Sequence, residues 1–259
     1  MNFSNKYIIG FALVVCLICS FAVSSLAVAL KPQQDANRLL DQQENILRVA
    51  GLHQGAGHPT PEQAASMFEG VTTWQVDQAT GEMTKLGAFA PAKQMIDAAK
   101  DPAASTPTRS DAARGAQIRS IPKQLLVYEV TVAGKEAWVL PIWGNGLWST
   151  MYGFLSVARD FSEVRGITFY QHGETPGLGG EIDNPTWKAQ WPGKKFRDAE
   201  GKISIEVVKN GNVRDPSRQV DGISGSTLTS RGVSNTVRTW LGAEGYGVWM
   251  EMKLKAAKR

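Results

Sequence analysis

Residues 221–230 read Asp221-Gly222-Ile223-Ser224-Gly225-Ser226-Thr227-Leu228-Thr229-Ser230, a stretch rich in glycine and in hydroxyl side chains. Apolar residues follow it at the i, i+4, i+7 and i+8 spacing of one helix face. These residues are Val233, Val237, Trp240 and Leu241. The pattern predicts a loop that leads directly into an amphipathic helix.

The junction between this loop and the helix has the composition of an anion site. A side-chain oxygen of Thr229 or Ser230 can accept an N–H of the first helical turn, so we expect one of them to be the N-cap. Exposed N–H groups and the helix dipole both favour negative charge at such a junction. The stretch therefore predicts a phosphate site, and an ordinary helix cap is the alternative. It is not a P-loop, because the lysine of that motif is missing.

The same ten residues resemble the attachment motif D-x-x-S-G-A-T-x-T-S of covalent FMN-binding domains. In that family the threonine that closes S-G-A-T carries FMN through a phosphoester bond. The resemblance therefore implies Thr227 as the attachment residue, with Ser226 standing where alanine is usual. It also implies that the neighbours of Thr227 contact the cofactor. These neighbours are Ser224, Gly225, Ser226, Leu228 and Thr229.

A second glycine-rich stretch, residues 171–180, contains Glu-Thr-Pro-Gly-Leu-Gly. Glycines let a backbone approach a ligand closely, although a surface turn is the simpler interpretation. The stretch resembles the second motif of the FMN-binding domain, where the loop lies against the flavin ring. The resemblance implies flavin contacts from Glu174, Thr175, Leu178 and Gly179.

Residues 143–153 contain the pattern Gly-Asn-Gly-Leu-Trp. One interpretation is a tight turn between strands with two buried tryptophans, and the other is an aromatic wall beside a flat ring, formed by Trp148. The pattern resembles the NqrC family, which belongs to the Na⁺-translocating NADH:quinone oxidoreductase. It helps to separate that family from the related flavin-carrying subunit of the Rnf electron-transport complex. Lys209 is a candidate partner for flavin phosphate or a ring oxygen, and a plain exposed lysine is the alternative.

Residues 7–30 form an apolar run of about 24 residues without a charged side chain. At ~1.5 Å per residue, a helix of this length spans a bilayer core of ~30 Å. A cleaved signal peptide is the alternative, because residues 27–29 resemble an A-x-A cleavage site, but the run is longer than such peptides use. The resemblance implies a single-pass anchor in the bacterial inner membrane, with residues 1–6 cytoplasmic and the large domain periplasmic.

Composition excludes several classes of protein. The net charge is +4 with both signs interspersed, and no basic stripe predicts nucleic-acid binding. The two cysteines, Cys16 and Cys19, both lie in the apolar run, so the rest of the chain can form no disulfide framework. We also expect loop histidines at His53 and His58 without a metal site. No catalytic triad and no dinucleotide-binding motif is present, so we expect no NADH site.

Predicted strands outnumber predicted helices after residue 120. Strands are predicted at residues 71–76, 124–132, 136–142, 154–158, 166–170 and 202–209. Short turns between them favour an α+β fold with a largely antiparallel sheet and flanking helices. We expect residues 31–120 to form the N-terminal part of the soluble body. Within that part, residues 88–119 are predicted to be peripheral and least ordered. An FMN-binding domain at 121–250 and a basic tail at 251–259 complete the expected organisation.

These features predict a membrane-anchored electron carrier with covalent FMN inside a sodium-pumping NADH:quinone reductase. The threonine hydroxyl is a poor nucleophile, so attachment by a separate, FAD-dependent flavin transferase is expected. The other subunits of the complex are the expected partners. Two alternatives are the equivalent flavin carrier of an Rnf complex and a protein that binds a phosphate ligand non-covalently.

Overall fold

The computed structural model describes residues 4–52, 63, 66, 68–132 and 134–257. The chain divides into two compact units, Met1–Asp41 and Gln42–Arg259. Helix α1 (Asn5–Val49) contains the apolar run and continues through Pro32. Within the described residues, α1 is the one helix that is long and apolar enough to cross a membrane. Its most apolar segment of 18 residues is not buried against the rest of the protein.

The second unit is built on one antiparallel sheet of six strands. Its members are β1 (Val71–Asp77), β2 (Met83–Lys85), β5 (Gln124–Val132), β6 (Lys135–Asn145), β7 (Thr150–Ala158) and β8 (Val164–Gln171). Their order across the sheet is β2-β1-β5-β6-β7-β8. Strands β6 and β7 form the longest hairpin, in which Asn145 pairs with Thr150 and residues 146–149 make the turn.

Two small strand pairs accompany this sheet. β3 (Ser105–Pro107) pairs antiparallel with β4 (Ser120–Pro122), and β9 (Glu206–Val208) pairs parallel with β10 (Gln219–Asp221). Further helices are α2 (Ala92–Lys100), α3 (Asp111–Gly115), α4 (Pro185–Lys188), α5 (Thr227–Leu241) and α6 (Gly247–Ala257). A 3-10 helix spans Gly179–Asp183. The predicted α+β fold, with a largely antiparallel sheet and flanking helices, is confirmed.

Helix α5 packs against the end of the β6–β7 hairpin. Its predicted apolar face is buried, and the Trp240 indole N–H donates to the carbonyl of Trp143 at 2.7 Å. The two rings lie 4.3 Å apart. A Cβ on Gly232 would lie 2.3 Å from the Asn145 carbonyl oxygen, so only glycine allows the helix this close to the strand. This packing sets the start of α5 beside the hairpin turn.

Two local predictions are wrong, namely the start of α5 and the length of the strand at 202–209, and the predicted basic tail is largely helical. Helix α5 begins at Thr227 with Ser226 as its N-cap, earlier than Thr229 or Ser230, because Ser230 Oγ instead accepts the N–H of Ile223. The strand predicted at 202–209 is limited to β9, which pairs with one short strand, β10. The predicted basic tail continues helix α6 as far as Ala257, because buried Trp249 and Met250 anchor that helix to the core.

The segment predicted to be peripheral, residues 88–119, contributes to the main core. Met95 of α2 and Ala113 of α3 are buried, as are Ala116 and Ile118. A Cβ on Gly115 would lie 2.2 Å from the Asn235 amide nitrogen, so α3 packs closely on α5. Small side chains allow this close packing, whereas low hydrophobicity had suggested a loosely held surface segment.

Candidate functional site

Three segments that are distant in the sequence meet at one cleft of about 190 Å³. They are the β6–β7 turn, the glycine-rich loop after β8, and the start of α5. The lining residues are Leu147, Trp148, Glu174, Thr175, Leu178, Gly179, Gly225, Ser226, Thr227, Leu228 and Thr229. The three sequence motifs therefore form a single site.

The carboxylate of Glu174 holds these segments together. Its Oε1 accepts the backbone N–H groups of Trp148 at 2.9 Å and Ser149 at 3.1 Å. Its Oε2 accepts the N–H of Leu147 at 3.1 Å and the hydroxyl of Thr229 at 2.6 Å. A carboxylate offers about four lone-pair sites, so the side chain of Glu174 is fully engaged by protein donors.

Two glycines make room for this carboxylate. A Cβ on Gly146 would lie 2.6 Å from Glu174 Oε1. A Cβ on Gly179 would lie 2.6 Å from Thr229 Oγ1 and 2.7 Å from Glu174 Oε2. Each glycine is therefore required by close packing around the Glu174–Thr229 bond.

Glu174 is buried, with 5% of its surface exposed. Burial alone would raise the pKa of this carboxyl group. The hydrogen bonds from Thr229 and from three backbone N–H groups outweigh burial and lower the pKa below its ordinary value. Next to it, His172 accepts the Glu174 N–H at Nδ1 and lies 2.6 Å from Asp183 Oδ2 through Nε2.

The attachment motif forms a tight loop that ends at the helix. Gly225 has a φ of +72°, a conformation that favours glycine. The N–H of Ser226 donates to the carbonyl of Ile223 at 3.1 Å. Thr227 follows as the first residue of α5, and its side chain is exposed at the wall of the cleft. The hydroxyl predicted to accept the phosphate therefore lies at a helix N-terminus, where the dipole favours an anion.

The rim of the cleft is apolar. Outside α1, six large apolar side chains are exposed among the described residues, and four of them line this cleft. The four are Leu147, Trp148, Leu178 and Leu228. Trp148 is 71% exposed and Trp143 is buried, so the interpretation with two buried tryptophans is wrong. A large exposed apolar patch is typical of a ligand or partner site.

The structure brings together ten of the twelve predicted site residues. Ser224 and Lys209 do not line the cleft, and both are exposed. Leu147 lines the cleft and was missed, although it belongs to the Gly-Asn-Gly-Leu-Trp pattern. The motif's first residue, Asp221, lies outside the cleft and accepts the N–H of Gly211 at 2.7 Å. Asp221 thereby links the motif to the turn that carries Lys209.

A larger cleft of about 460 Å³ lies between the end of α5 and the start of α6. Its lining includes Arg197, Lys202 and Arg238, and none of the predicted site residues. The predicted histidines His53 and His58 lie outside the described residues. Within the part of the chain that the structure describes, no group of three or more His, Cys, Asp or Glu side chains could hold a metal.

The hairpin turn, the glycine-rich loop and the helix start that meet at this cleft belong to a domain of the flavin-binding class. Residues 146–242 match the FMN-binding domain family, and that range includes all three segments of the cleft. The chain belongs to the NqrC family of Na⁺-translocating NADH-quinone reductase subunits. The family is shown by relatives that are similar over almost their whole length.

The corresponding Na⁺-translocating NADH-quinone reductase subunit of Pseudomonas aeruginosa is 45% identical over 252 residues, with 92% of each chain covered. That of Pasteurella multocida is 42% identical, with 98% of this chain and 97% of the relative covered. A crystal structure of Shewanella oneidensis NqrC has a TM-score of 0.71 at 31% identity. The match covers 83% of this chain and 96% of the Shewanella chain. The relatives are named as subunits of an oxidoreductase complex.

Proposed function

We propose that this chain carries FMN attached through a phosphoester to Thr227 Oγ1, with the flavin ring in the cleft beside Trp148. In this role the chain is a membrane-anchored electron carrier of a Na⁺-translocating NADH-quinone reductase. The observation that carries the proposal is the exposure of Thr227 at the helix N-terminus, beside the apolar rim.

The residues at the cleft fit such a cofactor. Gly225 and Ser226 form a tight loop, and the first turn of α5, which follows it, directs backbone N–H groups toward the phosphate position. Leu178 and Leu228 offer apolar surface to a flat ring, and Thr175 offers a hydroxyl to its edge. The cleft of about 190 Å³ is smaller than the ~300–1,000 Å³ of enclosing pockets, so the ring would stay partly open. An open ring edge suits a group that exchanges electrons with a partner.

Attachment requires a donor with an activated phosphate, and FAD supplies one. The Thr227 oxygen would form a bond to the FMN phosphorus while the pyrophosphate bond of FAD breaks. AMP would leave, and the hydroxyl proton would pass to the transferase or solvent. A threonine hydroxyl is a weak nucleophile unless a base activates it. Since no lysine or histidine lines the described cleft, we assign activation to a separate flavin transferase.

When bound, the flavin supplies one- and two-electron transfer, and the protein supplies position and electrostatics. Thr227 would hold the phosphate, and Trp148, Leu178 and Leu228 would orient the ring and limit access of water. Lys209 and Ser224 lie outside the cleft lining, and we keep them as contacts to the ribityl phosphate only.

The proposed organisation follows the sequence. Residues 7–30 would anchor the chain in the inner membrane, residues 1–6 would be cytoplasmic, and the large domain would be periplasmic. Residues 31–120 and 121–250 would act as one soluble body, with the latter carrying FMN. The partners would be the other subunits of the reductase, which supply the NADH and quinone sites.

Intact mass of the full chain, matured in its host with the transferase present, tests the attachment. We expect the mass of the polypeptide plus one FMN less one water, and peptide mapping should place the addition on Thr227. Unmodified Thr227 in this material would contradict the proposal, and an addition on Ser226 would move the attachment atom by one residue.

A further inference from the structure

We propose that Glu174 is a positioning residue whose fixed negative charge also lowers the reduction potential of the flavin. The inference rests on the proposed function, because it concerns the group that Thr227 would carry. It starts from the four hydrogen bonds that join Glu174 to the hairpin turn and to Thr229 on α5.

The first step concerns what the carboxylate can contact. All four of its acceptor sites face protein donors, so it has no free lone pair for the N–H group of a flavin ring. The resemblance had implied a direct flavin contact from Glu174. The hydrogen bonds instead make its side chain the support behind the cleft wall, and they fix the positions of Trp148 and Thr229.

The second step concerns charge. Glu174 is the one ionisable side chain among the eleven residues that line the described cleft. No lysine or arginine lines this cleft to neutralise it, and the neighbouring His172 is paired with Asp183. A buried charge is poorly screened by salt and solvent. Reduction adds negative charge to a flavin, so a fixed carboxylate in the wall opposes it.

Two substitutions alter the Glu174–Thr229 pair with opposite electrostatic results. Glu174→Gln keeps the shape of the side chain and removes the charge. Thr229→Val keeps the charge and removes one of the hydrogen bonds that stabilise it. If the pair has a purely structural role, the midpoint potential of the flavin should change in the same direction in both variants. If its role is electrostatic, the two variants should shift the midpoint potential in opposite directions.

The experiment is a reductive titration of the full chain, matured with the transferase and followed by flavin absorbance at fixed pH. In Glu174→Gln we expect a more positive midpoint potential, with the ratio of reduced to oxidised flavin at a fixed potential rising by roughly tenfold. In Thr229→Val we expect a shift to more negative potential. Thr229→Ser, which restores the hydroxyl, should return the potential to that of the wild type.

An unchanged potential in Glu174→Gln, or shifts of the same sign in both variants, would overturn the inference. If Glu174→Gln yields no flavinylated protein, Thr229→Val decides alone, since any result other than a negative shift contradicts the electrostatic role. A wild-type chain without covalent flavin would overturn both this inference and the proposed attachment. A flavinylated wild type with unresponsive variants would overturn the inference alone.

Discussion

The hydroxyl of Thr229 donates a 2.6 Å hydrogen bond to the carboxylate of Glu174, and the two residues lie 55 positions apart in the sequence. The bond joins the loop after β8 to the first turn of α5. The same carboxylate accepts three N–H groups of the β6–β7 turn, so one side chain connects all three walls of the cleft. The site therefore forms only when the sheet and α5 have packed together.

Thr227→Ala should give a folded chain without covalent flavin. The side chain is exposed at the start of α5, and surface substitutions usually change the free energy of unfolding by less than about 0.5 kcal/mol. Flavin fluorescence in a denaturing gel measures attachment. Ser226→Ala is the matched control, since it removes the adjacent hydroxyl and should remain fluorescent. A fluorescent Thr227→Ala band would contradict the assigned attachment atom.

Gly179→Ala should destabilise the protein and reduce its flavin content. The added Cβ would lie 2.6 Å from Thr229 Oγ1. Such overpacking typically lowers the free energy of unfolding by about 1–3 kcal/mol. Thermal unfolding monitored by circular dichroism measures the loss. Gly87→Ala is the control, because a Cβ there meets nothing within 4 Å. Equal melting temperatures for the two variants would show that the cleft tolerates the extra carbon.

The stability supplied by Glu174 should depend on pH. Its folded-state pKa is lowered, since the Thr229 and backbone hydrogen bonds outweigh the opposing effect of burial. The contribution is therefore complete above the ordinary pKa of about 4.3, and it is lost as the pH falls through the lower folded-state value. The free energies of unfolding of the wild type and Glu174→Gln, measured with urea, should differ most near neutral pH. The difference should become smaller in acid.

The control for this pH series is Glu251→Gln, which removes an exposed carboxylate and leaves the cleft hydrogen bonds intact. The free energy of unfolding of this control should stay close to that of the wild type at every pH. A constant gap between the wild type and Glu174→Gln from neutral to acidic pH would mean that the carboxylate is not ionised in the folded protein.

Trp148→Ala and Trp240→Ala should affect different properties. Trp148 is 71% exposed, so its removal should leave the unfolding free energy almost unchanged and should alter the flavin absorption and fluorescence spectrum. Trp240 is fully buried against Trp143, and its removal should cost about 3–5 kcal/mol. Chemical unfolding and flavin spectra of both variants check the contrast. An unchanged flavin spectrum in Trp148→Ala would exclude a ring contact.

Much of the sheet follows from local pattern. The strand predicted at 124–132 coincides with β5, because a run rich in β-branched and aromatic residues fits a pleated surface. Strand β6 continues to Asn145, beyond the predicted end at residue 142, because it pairs with β7 along this whole length. Local sequence does not reveal that pairing. The predicted strand at 202–209 was too long for the opposite reason, because few neighbours are available to pair with it.

The sequence alone determined the apolar N-terminal run, the amphipathic helix after residue 227 and the identity of the three motifs, because each is encoded in local spacing and composition. Tertiary structure decided how those motifs are used. It placed the Glu174 carboxylate among protein donors, exposed Trp148 while burying Trp143, and left Lys209 outside the cleft. It also brought part of residues 88–119, including Met95 and Ile118, into the core. These outcomes depend on contacts between segments far apart in the chain, and no local pattern specifies which donors a carboxylate meets after the sheet and α5 have packed.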